Sequence, residues 1–376
     1  MPYLSVVDPT NGSPGSLYGV ATQGGGNSAG YVFALVKSGT VYTYQSLYDF
    51  CGAADCADGA NPIGRLVLDV NGNLYGVTEA GGLSAQQPYG TAFELVPNSD
   101  HSHWTRVTLY NFCQQSDCAD GLMPVGGLTY AGETTGALYD GTSPLYGVAS
   151  NYAGGLVFKL TKGKSGWKEA VVRKLCLKSG CVDGDDPTQV LADATGNLVG
   201  IAGGGKNHGG VVFRLDASSR YHENVLYAFC HKTNCADGSL PADLGMDASG
   251  HIFGVTDQGG ENNNGVLFGI DANGYKVLHV FGKHSGDGGE PDTALVTSDG
   301  IIYGTTLADN TVNRGGSLFS YDASGYHIVD YFCTLQFCSD GLGPWGLAYD
   351  GGSSIFGTTK FGGSNAAGVI YEAPLQ

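Results

Sequence analysis

Positive charge is scarce in this sequence. Lys and Arg number 18 in 376 residues, against 35 Asp and Glu, and the net charge at pH 7 is −17. Nucleic-acid binding rests on basic side chains that neutralise phosphate. No basic cluster occurs here, so nucleic acid is excluded as a partner. Long apolar runs are missing as well, and a membrane-spanning helix needs about 18 such residues in a row. No membrane span is therefore expected. The chain starts Met-Pro-Tyr, without a charged n-region or an apolar h-region. A signal peptide is expected to have been removed.

What is abundant is glycine: 63 residues, about one in six against a usual share near 7%. The glycines follow no G-X-Y period, which excludes collagen. With 15 Phe and 22 Tyr the chain has too much aromatic surface for a disordered one. Dense glycine and turn residues with few helix formers point to many short strands joined by tight turns.

Ten cysteines form five matched C-x4-C pairs: Cys51 and Cys56, Cys113 and Cys118, Cys176 and Cys181, Cys230 and Cys235, and Cys333 and Cys338. Each pair is followed by one residue and then Asp-Gly. A sixth equivalent stretch, Phe281 to Pro291, lacks both cysteines and keeps Asp287-Gly288. Losing both members together is what a bonded pair predicts, since a lone thiol would be exposed and reactive. Zinc is the rival reading, but structural zinc takes four ligands and more often C-x2-C spacing. Five local disulfides are expected, each a modest staple of about 2 kcal/mol by loop entropy. Persistent disulfides place the chain in an oxidising compartment, extracellular or periplasmic.

A second pattern recurs seven times: LYGV at Leu17, Leu74 and Leu145, LVGI at Leu198, IFGV at Ile252, IYGT at Ile302 and IFGT at Ile355. Its glycines are 57, 71, 53, 54, 50 and 53 residues apart, and the long interval holds an insertion at Ala131–Pro144. In the second unit, strand A is read as Arg65–Val70, B as Asn73–Glu79, C as Gly90–Val96 and D as Thr105–Phe112. LVLDV and TAFELV alternate as half-buried strands do. D-x-x-G turns at Asp247–Gly250, Asp271–Gly274 and Asp322–Gly325 fit hairpins that need a positive-φ residue. Four antiparallel strands repeated seven times predict an all-β fold. The expected form is a seven-bladed β-propeller of four-stranded antiparallel blades filling residues 1–376 as one domain. A solenoid of such units would need polar end caps, and neither end supplies one. Because the last unit ends after strand C, the last blade is expected to be three-stranded.

The unit also resembles that of the GloVer-type (choice-of-anchor) tandem-repeat proteins of bacteria, LYGTT-x-x-GG…GTVF-x-L…DG-x-x-P. Here it reads LYGVTEAGG…GTAFEL from Leu74, IFGVTDQGG…GVLFGI from Ile252 and IFGTTKFGG…GVIYEA from Ile355. The resemblance covers essentially the whole chain and implies an extracytoplasmic repeat protein. It implies no established activity and no catalytic residue.

In a propeller the B–C and D–A connections emerge on one face, and here those are the Gly-Gly and disulfide loops. Binding residues concentrate on loops held by a rigid scaffold, so this face is the expected functional one. Its recurring aspartates are Asp58, Asp120, Asp183, Asp237, Asp287 and Asp340. They read either as calcium or sugar-hydroxyl ligands or, preferably, as caps of their own turns, because blades need the same turn but seldom the same ligand.

Departures from the repeat are more informative. Strand B ends with Glu79, Asp257 and Lys360 where other repeats have Thr22, Ser150, Gly203 and Leu307. After the Asp-Gly-x-x-Pro proline come Asp292 and Trp345 where other repeats have Ile63, Val125, Thr188 and Ala242. Arg65, Gln189 and Asp243 break their columns nearby, and Lys206, His208, His231, His284, Arg314 and Tyr152 lie in the loops. Rings that stack on pyranose faces and charged groups that bind hydroxyls suit a carbohydrate or other small polar ligand. The expected binding set is Arg65, Glu79, Tyr152, His208, Asp243, Asp257, Asp292, Arg314, Trp345 and Lys360. The bland alternative for each residue alone is solvated rim charge.

A polysaccharide lyase or glycoside hydrolase built on the same groups is the second reading, with the carboxylates as acid and base, or His208 or His284 with Tyr152 and Arg314 abstracting a proton. A protein-interaction or matrix scaffold is the third. No H-E-x-x-H, G-x-S-x-G elbow or phosphate loop is present. His101 and His103 sit in a C–D turn and carry no metal expectation; no cofactor is expected, and a monomer is.

Overall fold

Strand B sets the local architecture. In the second repeat Leu74–Ala80 is buried from Leu74 through Thr78, and Gly76 pairs with Phe93 of strand C, Thr91–Pro97. The Phe93 ring lies over the glycine: a Cβ there would stand 2.7 Å from Phe93 Cζ and 2.8 Å from Leu66 Cδ2. The same pair recurs in register as Gly19/Phe33, Gly147/Phe158, Gly200/Phe213, Gly254/Phe268 and Gly304/Phe319. The Gly of the signature is thus a packing requirement, since only a residue without a side chain admits the ring.

The structure is a computed structural model that describes residues 2–7, 16–39, 41–83, 89–308 and 315–375. Among these residues there are short 3₁₀ turns and no α-helix. The chain divides into two compact units. The first comprises Pro2–Leu175 with Asp186–Gly196, and the second Cys176–Asp185 with Asn197–Gln376.

The first unit holds three four-stranded antiparallel repeats: Pro2–Val7, Leu17–Ala21, Tyr31–Ser38 and Val41–Asp49; then Ala60–Leu68, Leu74–Ala80, Thr91–Pro97 and Trp104–Asn111; then Leu122–Tyr130, Leu145–Ser150, Leu156–Gly163 and Gly166–Lys174. Parallel bridges link the second and third, Arg65 to Gly127 and Asp69 to Tyr139 of the insertion.

In the second unit the fifth repeat is Ser239–Met246, Ile252–Gln258, Val266–Asp271 and Gly274–Val280, and the sixth is Gly289–Val296, Ile302–Ala308, Ser317–Asp322 and Gly325–Tyr331. The seventh has the three expected strands, Leu342–Tyr349, Ser354–Phe361 and Ile370–Pro374. The unit boundary runs through the fourth repeat, whose Leu198–Gly203, Val211–Asp216 and His222–Ala228 lie in the second unit.

Within each unit, successive sheets pack through aromatic edges. The Phe that closes strand D meets the strand C Phe of the next repeat: Phe50 on Phe93 at 5.0 Å, Phe112 on Phe158 at 4.9 Å, Phe229 on Phe268 at 5.1 Å. Such edge-to-face pairs add roughly 1 kcal/mol each beyond the area they bury. The Ala131–Pro144 insertion also contributes to the core. Its Tyr139 is fully buried, 5.2 Å from both Tyr75 and Tyr130.

Strand A differs from the sequence expectation: it begins at Ala60 rather than Arg65. The chain enters the ladder directly after Asp-Gly, with Ala60 opposite Ala80 and Pro62 opposite Thr78, and then slips at a bulge. The residue before the proline is left-handed in each case described, from Asn61 (φ 55°) and Met123 (φ 50°) to Leu240 (φ 57°) and Glu290 (φ 51°).

All five C-x4-C pairs are disulfides, as the spacing predicts. Cys51 is bonded to Cys56, Cys113 to Cys118 and Cys176 to Cys181. Cys230 is bonded to Cys235, and Cys333 to Cys338. With every thiol consumed, zinc is excluded at these positions. Both cysteines of every pair have positive φ: the first members, such as Cys51 and Cys113, and the second members Cys56, Cys118, Cys181, Cys235 and Cys338 alike. The Cys-free sixth repeat puts Gly282 (φ 72°) where the others have their first Cys, which meets the same backbone demand without a crosslink.

The recurring aspartate holds each loop. Asp237, fully buried, accepts the His231 N–H at 2.9 Å, the Lys232 N–H at 3.0 Å and the Tyr227 hydroxyl at 2.6 Å. Asp58 and Asp120 repeat that set with Tyr48 and Tyr110, and Asp183 and Asp340 cap the matching N–H groups. Asp287 takes the His284 N–H and lies 3.4 Å from His279, which replaces the tyrosine. The carboxylates thus cap the loop before them, and Asp58, Asp120, Asp237 and Asp287 also tie it to strand D.

Replacing such an acceptor strands buried donors. Asp237→Ala is expected to cost about 3 kcal/mol, read as a lower urea midpoint. An unchanged midpoint would show that the carboxylate is dispensable.

Candidate functional site

The bulge in strand A aims the site. In the sixth repeat the register slips between Pro291 and Thr293, and Asp292 is the extra residue. The fifth repeat slips at the same place between Pro241 and Asp243, and the seventh between Trp345 and Leu347. A bulge turns its side chain out of the regular alternation and frequently borders functional sites. In the fifth and sixth repeats the bulge residue is thus the variable residue after the proline, Ala242 and Asp292, whereas in the seventh Trp345 stays paired with Thr358 and Gly346 is the extra residue.

Five of the expected residues converge in the second unit. Lys360, near the end of strand B of the seventh repeat, extends its ammonium over the Trp345 ring, 3.7 Å from the centroid. The same Nζ lies 3.9 Å from Asp292 Oδ1, and both side chains are mostly covered, at 15% and 22% exposure. Burial pushes the Asp292 carboxyl up to about 6, against the pull of Lys360 and with the help of Asp243 and Asp257. Burial also draws the Lys360 ammonium down, and Asp292, Asp257 and Glu290 oppose that shift. Asp243 is buried and accepts the N–H of its neighbour Leu244 at 3.0 Å and of Ala294 in the next repeat at 2.9 Å. It braces the strand that carries Asp292. Asp257 is half-buried at the end of its own strand B.

Because Asp292 holds its proton more tightly when folded, the stability it contributes is present below the unfolded carboxyl range near pH 4 and is lost as pH rises through about 6. A carboxylate and an amine retained half-buried against that cost make this cluster the candidate functional site.

Arg65 and Glu79 are half-buried in the first unit, where Arg65 acts on the half-buried Glu133 of the insertion. Burial pushes Glu133 up; Arg65 and a Thr129 hydroxyl hydrogen bond oppose it. Tyr152 is 71% exposed and hydrogen-bonds Tyr89, raising the Tyr89 phenol. His208 lies in an exposed loop of the second unit, as do Lys206, His231 and His284, and Arg314 falls outside the described residues. His101 packs on Trp104 at 5.8 Å. Among the described residues no group of three His, Cys, Asp or Glu is arranged to hold a metal.

Sequence reasoning missed Glu290, Glu133 and Tyr89. Glu290 had a signal, as an acid in the left-handed position before the proline. The mark of the scaffold reading, exposed apolar surface, occurs at Leu335 and Phe337 in the last disulfide loop, 59% and 87% exposed. Two open grooves at the turn end of the fifth and sixth repeats, lined by Phe253, Asp299 and Asp322 or by His251, Asp271 and Tyr275, gather no comparable set of charges.

The pairing fixes the sign of two perturbations. In a carboxyl ¹³C titration Asp292 should show a midpoint near 6. Lys360→Met should move it up and Asp257→Asn down. A midpoint near 4, the ordinary Asp range, in all three proteins would refute the cluster.

No curated protein matches the chain at a significant level. Solved structures match in fold alone. Puromycin hydrolase aligns with a TM-score of 0.56 at 13% identity, over 95% of this chain and 50% of that one. The extracellular domain of a putative one-component system, BT4673 from B. thetaiotaomicron, aligns with a TM-score of 0.56 at 12% identity, over 99% and 38%. A protein from Lactobacillus plantarum aligns with a TM-score of 0.55 at 12% identity, over 99% and 96%. The chain thus spans half or less of the first two. These neighbours are propeller-like, in keeping with the stacked antiparallel sheets. The Gloeobacter/Verrucomicrobia repeat model matches residues 2–202 and 140–371, and the chain belongs to that tandem-repeat family.

Proposed function

We propose that this repeat protein works outside the cytoplasm, secreted or periplasmic, and binds a carbohydrate or similarly polar ligand at the Asp292–Lys360–Trp345 cluster. The seven sequence repeats read as seven blades of one propeller domain, with the variable loops as its functional face. One observation carries the binding reading: an aromatic ring, an ammonium and a carboxyl of raised pKa meet beside the strand A bulge of the sixth repeat, in columns that hold bland residues in other repeats. Sugar recognition uses such parts, a ring for the apolar face of a pyranose and charged groups for its hydroxyls. The disulfides support the compartment.

A polysaccharide-cleaving enzyme is the second reading, favoured by the Asp292 carboxyl near 6 beside Asp257. A carboxyl in that range serves as a general acid near neutral pH.

A glycan array, followed by assays for new reducing ends and unsaturated products, separates the two. Saturable binding without turnover is expected, weakened at least tenfold by Trp345→Ala. Turnover abolished by Asp292→Asn would establish the enzyme instead. Glycan binding unaffected by Trp345→Ala would move the site elsewhere.

A further inference from the structure

We infer that the ligand of this site carries a protonated amine, in the class of amino sugars, and that Lys360 holds in the free protein the place that the ligand's ammonium takes. The inference rests on the binding reading above and narrows it.

The first support is an ammonium already seated. Lys360 Nζ occupies the face of Trp345 at 3.7 Å and the neighbourhood of Asp292 at 3.9 Å. Ring face and carboxyl together are what an alkylammonium needs: the ring quadrupole attracts the cation and the carboxylate neutralises it. A lysine side chain is itself a primary ammonium on an aliphatic stem, so its pose maps where a ligand amine fits.

The charge balance gives the sign of the ligand. Asp257, Glu290 and Asp292 act on Lys360, and Asp243 and Asp257 act on Asp292, so the lysine is a cation set among carboxylates. A uronate or phosphate entering here would meet several carboxylates, a repulsion that rejects the wrong class of ligand.

The third support is the freedom of the lysine to leave. The residue before the bulge-side proline bears a side chain in five repeats, as Asn61, Met123, Asp186, Leu240 and Glu290, but is Gly343 in the seventh. A Cβ at Gly343 would stand 3.7 Å from Lys360 Cβ. The glycine thus leaves uncovered the side of the lysine stem that a side chain there would touch, and by this route an incoming amine displaces the head group toward solvent. Displacement lowers the apparent affinity of the intact protein, because the competent state is only partly populated.

The test is calorimetric titration at pH 6.5 and low salt of the full chain and of Lys360→Ala. The probes are the glucosamine trimer, the N-acetylglucosamine trimer and the galacturonate trimer. Lys360→Met, which keeps the apolar stem on the ring, serves should the alanine variant unfold. The glucosamine trimer is expected to bind at least tenfold tighter than its acetylated form, the galacturonate trimer not to bind, and removal of the ammonium to tighten the glucosamine trimer at least tenfold. Equal binding of the amine and acetylated trimers, or tighter binding of the uronate, overturns the inference and leaves the carbohydrate reading standing. If no sugar binds, n-propylammonium decides. Saturable binding to Lys360→Ala that is lost on adding Trp345→Ala supports the amine site while the carbohydrate reading falls. No binding of any probe ends both.

Discussion

A buried aspartate that ties a loop to a strand is the contact on which the rest of this protein depends. In the fourth repeat Asp237 takes two loop N–H groups and the Tyr227 hydroxyl, and Asp58 and Asp120 do the same with Tyr48 and Tyr110. The loop it holds is full of left-handed residues, including both cysteines of each pair. Such a loop has little intrinsic preference for its shape, so the crosslink and the carboxylate must impose it together. Directly after the aspartate come the glycine, the left-handed residue, the proline and the bulge. The scaffold thereby fixes where the variable side chain of each repeat points.

Much of this order is visible in the residues themselves. The pairing of a strand B glycine with a strand C ring, Phe in six repeats and Tyr371 in the seventh, is the reason the glycine recurs, and sevenfold recurrence of one packing rule stands out against any background. The five disulfides, from Cys51 with Cys56 to Cys333 with Cys338, were legible for the same reason. So were the three strands of the seventh repeat. The start of strand A was less so. Pro62 and the left-handed Asn61 look like a turn in sequence, yet the bulge absorbs both within the ladder. Local propensity lost there to sheet pairing.

The candidate site was legible only as a set of exceptions. Asp257, Asp292, Trp345 and Lys360 stood out because their columns hold bland residues elsewhere, and the structure brings them together with Asp243. Arg65 stood out equally, and it acts on Glu133 of the insertion. Nothing in its own repeat could reveal that, because the partner comes from an element present once. Glu290 was hidden by lying in a position that reads as turn chemistry. Repetition makes deviation readable, but which deviations meet depends on bulges and insertions whose side-chain directions the sequence does not spell out.

At the centre of this account is a lysine parked on a tryptophan face, at the place proposed for the ligand's amine. The most direct measurement is the NMR shift of the Lys360 ε-methylene protons, free and during titration with the glucosamine trimer. The Trp345 ring current should hold them upfield in the free protein, and ligand should release them toward the value of a solvated lysine. Random-coil shifts in the free protein, or upfield shifts that a bound ligand leaves unchanged, would contradict it.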